Sequence, residues 1–191
     1  MTRLRIGLGI AAGMSTLSLA LVGGTTSAEA AAAAPGPPVV GSSSQSTLAA
    51  TQYRTTALTN GYSNRCLDAD LNSIGGNGTK VQLWDCSGQA QQTWIWTPVA
   101  GQPVGYYWIQ TEYNHRCLDA DLNTIGGNGT RIQLWDCNGW DNQIWIWDGH
   151  ALQTKKNARV LDADLNTIRY NGTYVQLWDR NGGSQQTWVW H

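Results

Sequence analysis

No phenylalanine occurs in this 191-residue sequence, and only 13% of its residues are charged, about half the usual share. Lys and Glu are scarce, which removes the residues from which an all-helical bundle is built. A formal net charge of -1 leaves no basic footprint for a nucleic-acid ligand. The three histidines, His115, His150 and His191, fall at unrelated positions with no nucleophile motif beside them, so nothing here points to catalysis. Downstream of Val22 no apolar run approaches the about 20 residues needed to span a bilayer. Present instead are 22 glycines, 11 tryptophans and 7 tyrosines. Without phenylalanine every aromatic ring carries an N–H or O–H, which suits surfaces that are apolar on one side and wet on the other. The length is that of one domain.

The N-terminus reads as an address rather than as fold. Arg3 and Arg5 precede an apolar stretch from Ile6 to Val22, and Ser27, Ala28, Glu29 and Ala30 supply an A-x-A cleavage pattern. Residues 1–30 are therefore expected to be a signal peptide cleaved near Ala30, with a secreted product. Gly7, Gly9, Gly13, Ser15, Thr16 and Ser18 dilute the apolar stretch and argue against a retained membrane helix. Residues 31–50 are mostly Ala, Pro, Gly and Ser without periodicity, the composition of a flexible linker. The folded domain is expected at 51–191.

That region is three copies of one unit. The copies begin CLDADLNSIGGNGTKVQLWDC at Cys66, CLDADLNTIGGNGTRIQLWDC at Cys117 and VLDADLNTIRYNGTYVQLWDR at Val160, and each runs on to a Gln-x-Trp-x-Trp ending. The repeats span about 55–98, 106–148 and 149–191, and extra chain falls around Pro98 to Gly105. In the third copy Val160 and Arg180 replace both cysteine positions together, as expected if the two form a bond within each copy. This predicts Cys66 with Cys86 and Cys117 with Cys137, each closing a loop of about 20 residues worth roughly 3 kcal/mol. Asn77-Gly78, Asn128-Gly129 and Asn171-Gly172 are hairpin-turn dipeptides followed by alternating runs such as Val81-Gln82-Leu83-Trp84. As sequons they read more simply as turns than as glycosylation sites. Three copies of several short strands are too few for an ordinary propeller, and a threefold β-barrel fits better.

The Cys-Leu-Asp and Gln-Leu-Trp-Asp-Cys motifs of the first two copies, with Gln-x-Trp in all three, resemble the ricin-B-type lectin domain, especially the sugar-binding modules of bacterial xylanases. The resemblance covers nearly all of 51–191. It implies an all-β β-trefoil of twelve strands with pseudo-threefold symmetry and one shallow sugar site per copy.

Strand alternation gives a separate reading of the site. Val81 and Leu83 share one face while Gln82 and Trp84 share the other, and the same holds for Gln133 with Trp135 and Gln176 with Trp178. Leu67, Ala69 and Leu71 alternate with Asp68 and Asp70, which puts the acids on the outer face. An outward indole stacks on the C–H face of a pyranose, and a carboxylate beside it accepts hydrogen bonds from neighbouring hydroxyls. The resemblance assigns the binding acid to Asp68, Asp119 and Asp162. It assigns the Gln and stacking aromatic to Gln82 with Trp84, Gln133 with Trp135 and Gln176 with Trp178. The polar pair before the final tryptophans becomes Gln91-Gln92, Asn142-Gln143 and Gln185-Gln186. Only the second copy keeps the family's usual Asn, at Asn142, and Trp140 offers it a second stacking surface. The second copy therefore ranks first and the third last.

Trp94, Trp145 and Trp188 are expected in the core, with Trp96, Trp147 and Trp190 extending that layer. Gln92, Gln143 and Gln186 either satisfy buried backbone groups or meet ligand. Asp70, Asp121 and Asp164 are expected to cap turns. Asp68-x-Asp70-x-Asn72 matches the start of a calcium loop but lacks its Gly and Glu positions, so no metal or cofactor is expected. Shallow outer-face aspartates should stay ionised and serve no acid catalysis. The expectation is a secreted, monomeric, non-catalytic lectin of galactose- or xylose-type glycans, with no nucleic-acid partner and no membrane insertion. A secreted protein-binding trefoil, of inhibitor or toxin-partner type, is the alternative.

Overall fold

The computed structural model describes residues 51–191, so the expected signal peptide and linker lie outside the described residues. A short strand, β1 (Tyr53–Thr55), leads into three similar groups of four. The first repeat supplies β2 (Leu58–Asn60), β3 (Cys66–Ala69), β4 (Thr79–Trp84) and β5 (Trp94–Pro98). The second supplies β6 (Tyr106–Thr111), β7 (Cys117–Ala120), β8 (Thr130–Trp135) and β9 (Ile144–Trp147), and the third β10 (Leu152–Thr154), β11 (Val160–Ala163), β12 (Thr173–Trp178) and β13 (Trp188–Trp190). This is the pseudo-threefold β-trefoil, with its twelve repeated strands and β1 added against β5. The only helical elements among the described residues are single 3₁₀ turns, Ala90–Gln92, Asp141–Gln143 and Ser184–Gln186.

The alternation of the sequence becomes the register of three equivalent hairpins. In the first, Leu67 faces Leu83 and Ala69 faces Val81, with Asp68 opposite Gln82 between them. Leu118 with Leu134 and Asp119 with Gln133 repeat this in the second, and Leu161 with Leu177 and Asp162 with Gln176 in the third. The aliphatic members are fully buried and form the shared core. Across repeats, β4 pairs with β8, β8 with β12 and β12 with β4, and β13 of the third repeat pairs with β2 of the first.

Trp94, Trp145 and Trp188 lie in the core as expected. Each indole N–H reaches a carbonyl of its own repeat, Leu67 O at 3.2 Å, Leu118 O at 2.8 Å and Leu161 O at 3.1 Å, so a large ring is buried without an orphaned donor. Truncating one to alanine should cost about 3–5 kcal/mol. Trp96 stacks on Trp190 with centroids 4.5 Å apart, and Trp147 meets both edge-on at 6.0 and 6.3 Å. One tryptophan from each repeat thus meets its two counterparts, which places the cluster on the pseudo-threefold axis.

Cys66 is bonded to Cys86 and Cys117 to Cys137, each with Cα atoms 5.1 Å apart. In the third repeat Arg180, standing where the others have cysteine, pairs with Asp148 at 2.5 Å. Two local expectations need correction. The Asn-Gly dipeptides do not form two-residue hairpin turns, because the connection in the first repeat runs from Asp70 to Gly78 and Asn77-Gly78 only ends it. Strand β3 also stops at Ala69, so alternation does not extend to Asp70 and Leu71, and Leu71 is exposed rather than buried.

Candidate functional site

Each repeat opens a pocket where its hairpin meets its 3₁₀ turn. The first is lined by Asp68, Asp70, Leu71, Asn72, Gln82, Trp84, Ser87, Gln89 and Gln91. The second and third are built from the corresponding positions of their own repeats. Trp84, Trp135 and Trp178 present a ring to each pocket at 41%, 38% and 37% exposure. All three lie on the outward face that alternation assigned to them.

The acids are not on an open outer face. Asp68, Asp119 and Asp162 are 4%, 3% and 4% exposed and form the pocket floors. Alternation correctly turned them away from the aliphatic core. That face is itself roofed by the 3₁₀ turn and its amides, which a pattern confined to one strand does not reveal.

The second repeat shows the construction most fully. Gln133 Nε2 donates to Asp119 Oδ1 at 3.1 Å, and Asn142 Nδ2 and Gln143 Nε2 each donate to Oδ2 at 2.8 Å. Gln82 with Gln92 hold Asp68 in the same way, and Gln176 with Gln186 hold Asp162. Burial raises all three carboxyl pKa values, and the amide donors oppose that shift without cancelling it. The expectation that these acids are shallow is therefore corrected: they are buried, and desolvation raises their pKa.

Gln92, Gln143 and Gln186 do more than meet backbone or meet ligand. Gln143 Nε2 also donates to Asp136 O at 3.0 Å, while its Oε1 accepts the Asn138 N–H at 2.9 Å. Gln92 and Gln186 make the equivalent bonds. These buried glutamines lock the loop after the aromatic residue onto the acid, and they lie beneath the pocket rather than in its lining.

The polar residue one position earlier separates the repeats. Asn142 Nδ2 bonds Asp119 and Ala120 O, leaving its Oδ1 without a partner among the described residues. The longer Gln185 turns instead to Asn181 Oδ1 at 3.2 Å, and Gln91 to Ser87 Oγ at 3.5 Å. The second pocket alone also carries Trp140, 60% exposed, among its lining.

Asp70, Asp121 and Asp164 cap turns. Asp70 Oδ1 accepts from the Asn72 backbone at 3.1 Å and its amide at 2.9 Å, and Oδ2 accepts from Ser73 Oγ. The other two repeats do the same. Sequence reasoning missed Leu71, Leu122 and Leu165, which are exposed and help line the pockets. Their recurrence in every Asp-Leu-Asn was visible, but continued alternation sent them to the core.

Three pockets of this kind around a pseudo-threefold β-trefoil define the scaffold of a carbohydrate-binding domain. The chain belongs to the ricin-type beta-trefoil lectin domain family, whose profile matches residues 54–189. It is 33% identical over 125 residues to Serine protease 1 of Rarobacter faecitabidus, a match spanning 48% of this chain and 23% of that protein. The chain thus corresponds to under a quarter of that relative's length. Among solved structures, an exo-beta-1,3-galactanase from Clostridium thermocellum superimposes with a TM-score of 0.63 at 26% identity, covering 72% of this chain and 29% of that one. The designed threefold symmetric protein ThreeFoil shares the fold with a TM-score of 0.63 at 24% identity, covering 73% of this chain and 96% of its own.

Proposed function

We propose that this protein is a secreted, monomeric, non-catalytic lectin that binds galactose- or xylose-type glycans weakly at each of up to three sites. The observation that carries this reading is the threefold recurrence of one constellation. In each case a buried carboxylate, fixed by amide donors, lies beside a partly exposed indole. The ring offers an apolar face to sugar C–H groups, and the carboxylate offers charge-assisted acceptance to hydroxyls. The galactanase that this chain resembles acts, by its name, on a galactose polymer, which favours galactose-type ligands.

The pocket chemistry is that of binding. A raised carboxyl pKa is what a general acid needs, but glycoside hydrolysis calls for a second free carboxylate across the bond. The nearby Asp121 accepts from Asn123 and Thr124 instead. A protein interface, the alternative function, would ordinarily be one asymmetric patch rather than three copies of a pocket. The second site ranks first because the Asn142 carbonyl is free of other partners and Trp140 adds a ring.

A single open site of this size should bind a simple sugar at about millimolar strength, near −4 kcal/mol. The test is a glycan array on the mature protein, followed by tryptophan-fluorescence titration of the best ligand. Asp119→Ala and Trp135→Ala, each with the other two sites disabled, should abolish most binding without loss of fold. Unchanged titrations in both variants would reject the site. Glycan cleavage abolished by Asp119→Ala with binding retained would reject the non-catalytic reading.

A further inference from the structure

Each aromatic pocket residue is bracketed by the repeat before it. Trp135 ends β8, and its two sequence neighbours are tied to Asn77-Gly78 of the first repeat. The Gly78 N–H donates to Leu134 O at 2.9 Å, and the Asp136 N–H donates to Asn77 Oδ1 at 2.7 Å. Gly129 and Asn128 bracket Trp178 in the same way, through Leu177 O at 2.9 Å and the Asp179 N–H at 2.7 Å. Gly172 and Asn171 close the circle on Trp84, through Leu83 O and the Asp85 N–H, both at 2.8 Å.

The side chains add a second tie. Asn77 Nδ2 donates to Asp136 Oδ2 at 2.9 Å, and Arg116 bonds both Asn77 Oδ1 and the Asp136 carboxylate. Asn128 with Asp179 and Arg159, and Asn171 with Asp85 and Arg65, make corresponding clusters. The glycine is required by its backbone, since Gly78, Gly129 and Gly172 have φ of +87°, +87° and +86°, a region costly for any side chain with a Cβ.

We propose that Asn77, Asn128 and Asn171 are positioning residues that hold the stacking tryptophan of the next repeat, so that each sugar site is completed by its neighbour. The proposal rests on Trp84, Trp135 and Trp178 being the stacking rings. A strand end is free to fray, and a ring can stack only if the backbone beneath it is fixed. Bonds on both flanks from the first repeat act together with the ties of the second repeat itself, where Cys117 lies opposite Trp135 and Gln143 holds Asp136 O, while Asn77 is not among the residues lining the pocket. The cycle runs from the first repeat to the second, the second to the third and the third to the first.

The test uses the full chain with only the second site active, through Asp68→Ala and Asp162→Ala. In this background Asn77→Ala removes all three side-chain bonds of Asn77, two to Asp136 and one to Arg116. Asn77→Asp keeps the acceptor but sets two carboxylates against each other. Asn77→Asp combined with Asp136→Asn exchanges donor and acceptor and rebuilds the pair. Lactose and xylotriose are titrated by fluorescence, and the Trp135 indole N–H is followed by NMR without sugar.

Binding should weaken roughly tenfold in Asn77→Ala and Asn77→Asp. The Trp135 indole signal should shift or broaden in both, and both readouts should recover in the exchanged pair. The same Asn77 substitutions in a chain with only the third site active should leave binding unchanged, because Asn128 serves Trp178. An unmoved indole signal, or no recovery in the exchanged pair, overturns the proposal. If the indole signal moves and recovers but the unsubstituted site binds neither sugar, the positioning role stands and the glycan assignment fails.

Discussion

At the scale of single residues, the pocket acid is held so that its oxygens only accept. Gln133, Asn142 and Gln143 all donate to Asp119, and burial raises its carboxyl pKa. Affinity at the second site should therefore fall as pH drops through that raised pKa, at a higher pH than for an ordinary aspartate, as fluorescence titrations across pH would measure. The effect on stability has the opposite sign. A folded-state pKa above the unfolded one means that the folded protein takes the proton more readily, so these three acids penalise folding above that pKa and the penalty eases on acidification. Asp148 behaves conversely. Burial pushes its pKa up, but the Ala151 and His150 N–H groups and Arg180 outweigh burial and hold it down, so its contribution is lost as pH falls. A second residue-scale prediction concerns Ala158, whose φ of +61° matches Asn64 at +56° and His115 at +57° in the other repeats. Asparagine tolerates this conformation better than alanine. Ala158→Asn should stabilise the fold by about 1 kcal/mol, seen as a raised Tm. The Asp, Gln and Trp of the site were legible as residues because their register repeats. Burial of the acid was not, because its roof comes from a 3₁₀ turn more than twenty residues away in sequence.

At the scale of elements, the hairpin is the unit that sequence pattern describes best. Joint loss of both cysteines in the third repeat foretold the two disulfides that the structure contains. The third hairpin keeps the same register, Val160 opposite Trp178 as Cys66 is opposite Trp84. Val160→Cys together with Arg180→Cys should therefore form a third bond and stabilise the protein by about 2–3 kcal/mol, measured by denaturant unfolding with and without reductant. Failure of the bond to form would show that the backbone equivalence ends beyond β12. What the pattern misjudged was where each element ends. Alternation carried β3 through Leu71, whereas Asp70 captures the Asn72 backbone and starts a turn. The Asn-Gly pair looked like a local turn, and its partners prove to lie in the next repeat.

At the scale of the whole molecule, the three pockets belong to one β-trefoil, and under the proposed function a polymer that reaches two of them would gain avidity. Disabling any two sites by Asp→Ala should weaken retention on an immobilised glycan polymer by about 10² or more, while monosaccharide affinity at the remaining site stays the same. Equal losses for polymer and monosaccharide would mean that the sites never act together. The sequence by itself determined the threefold repeat, the disulfide partners and the faces of the nine repeated tryptophans, because all of these follow from period and spacing within one repeat. Only the tertiary structure decided how deep the acids sit, which amides hold them and which neighbouring repeat steadies each ring. Those properties depend on groups brought together from distant parts of the chain, and no local pattern encodes the desolvation or the contacts that result.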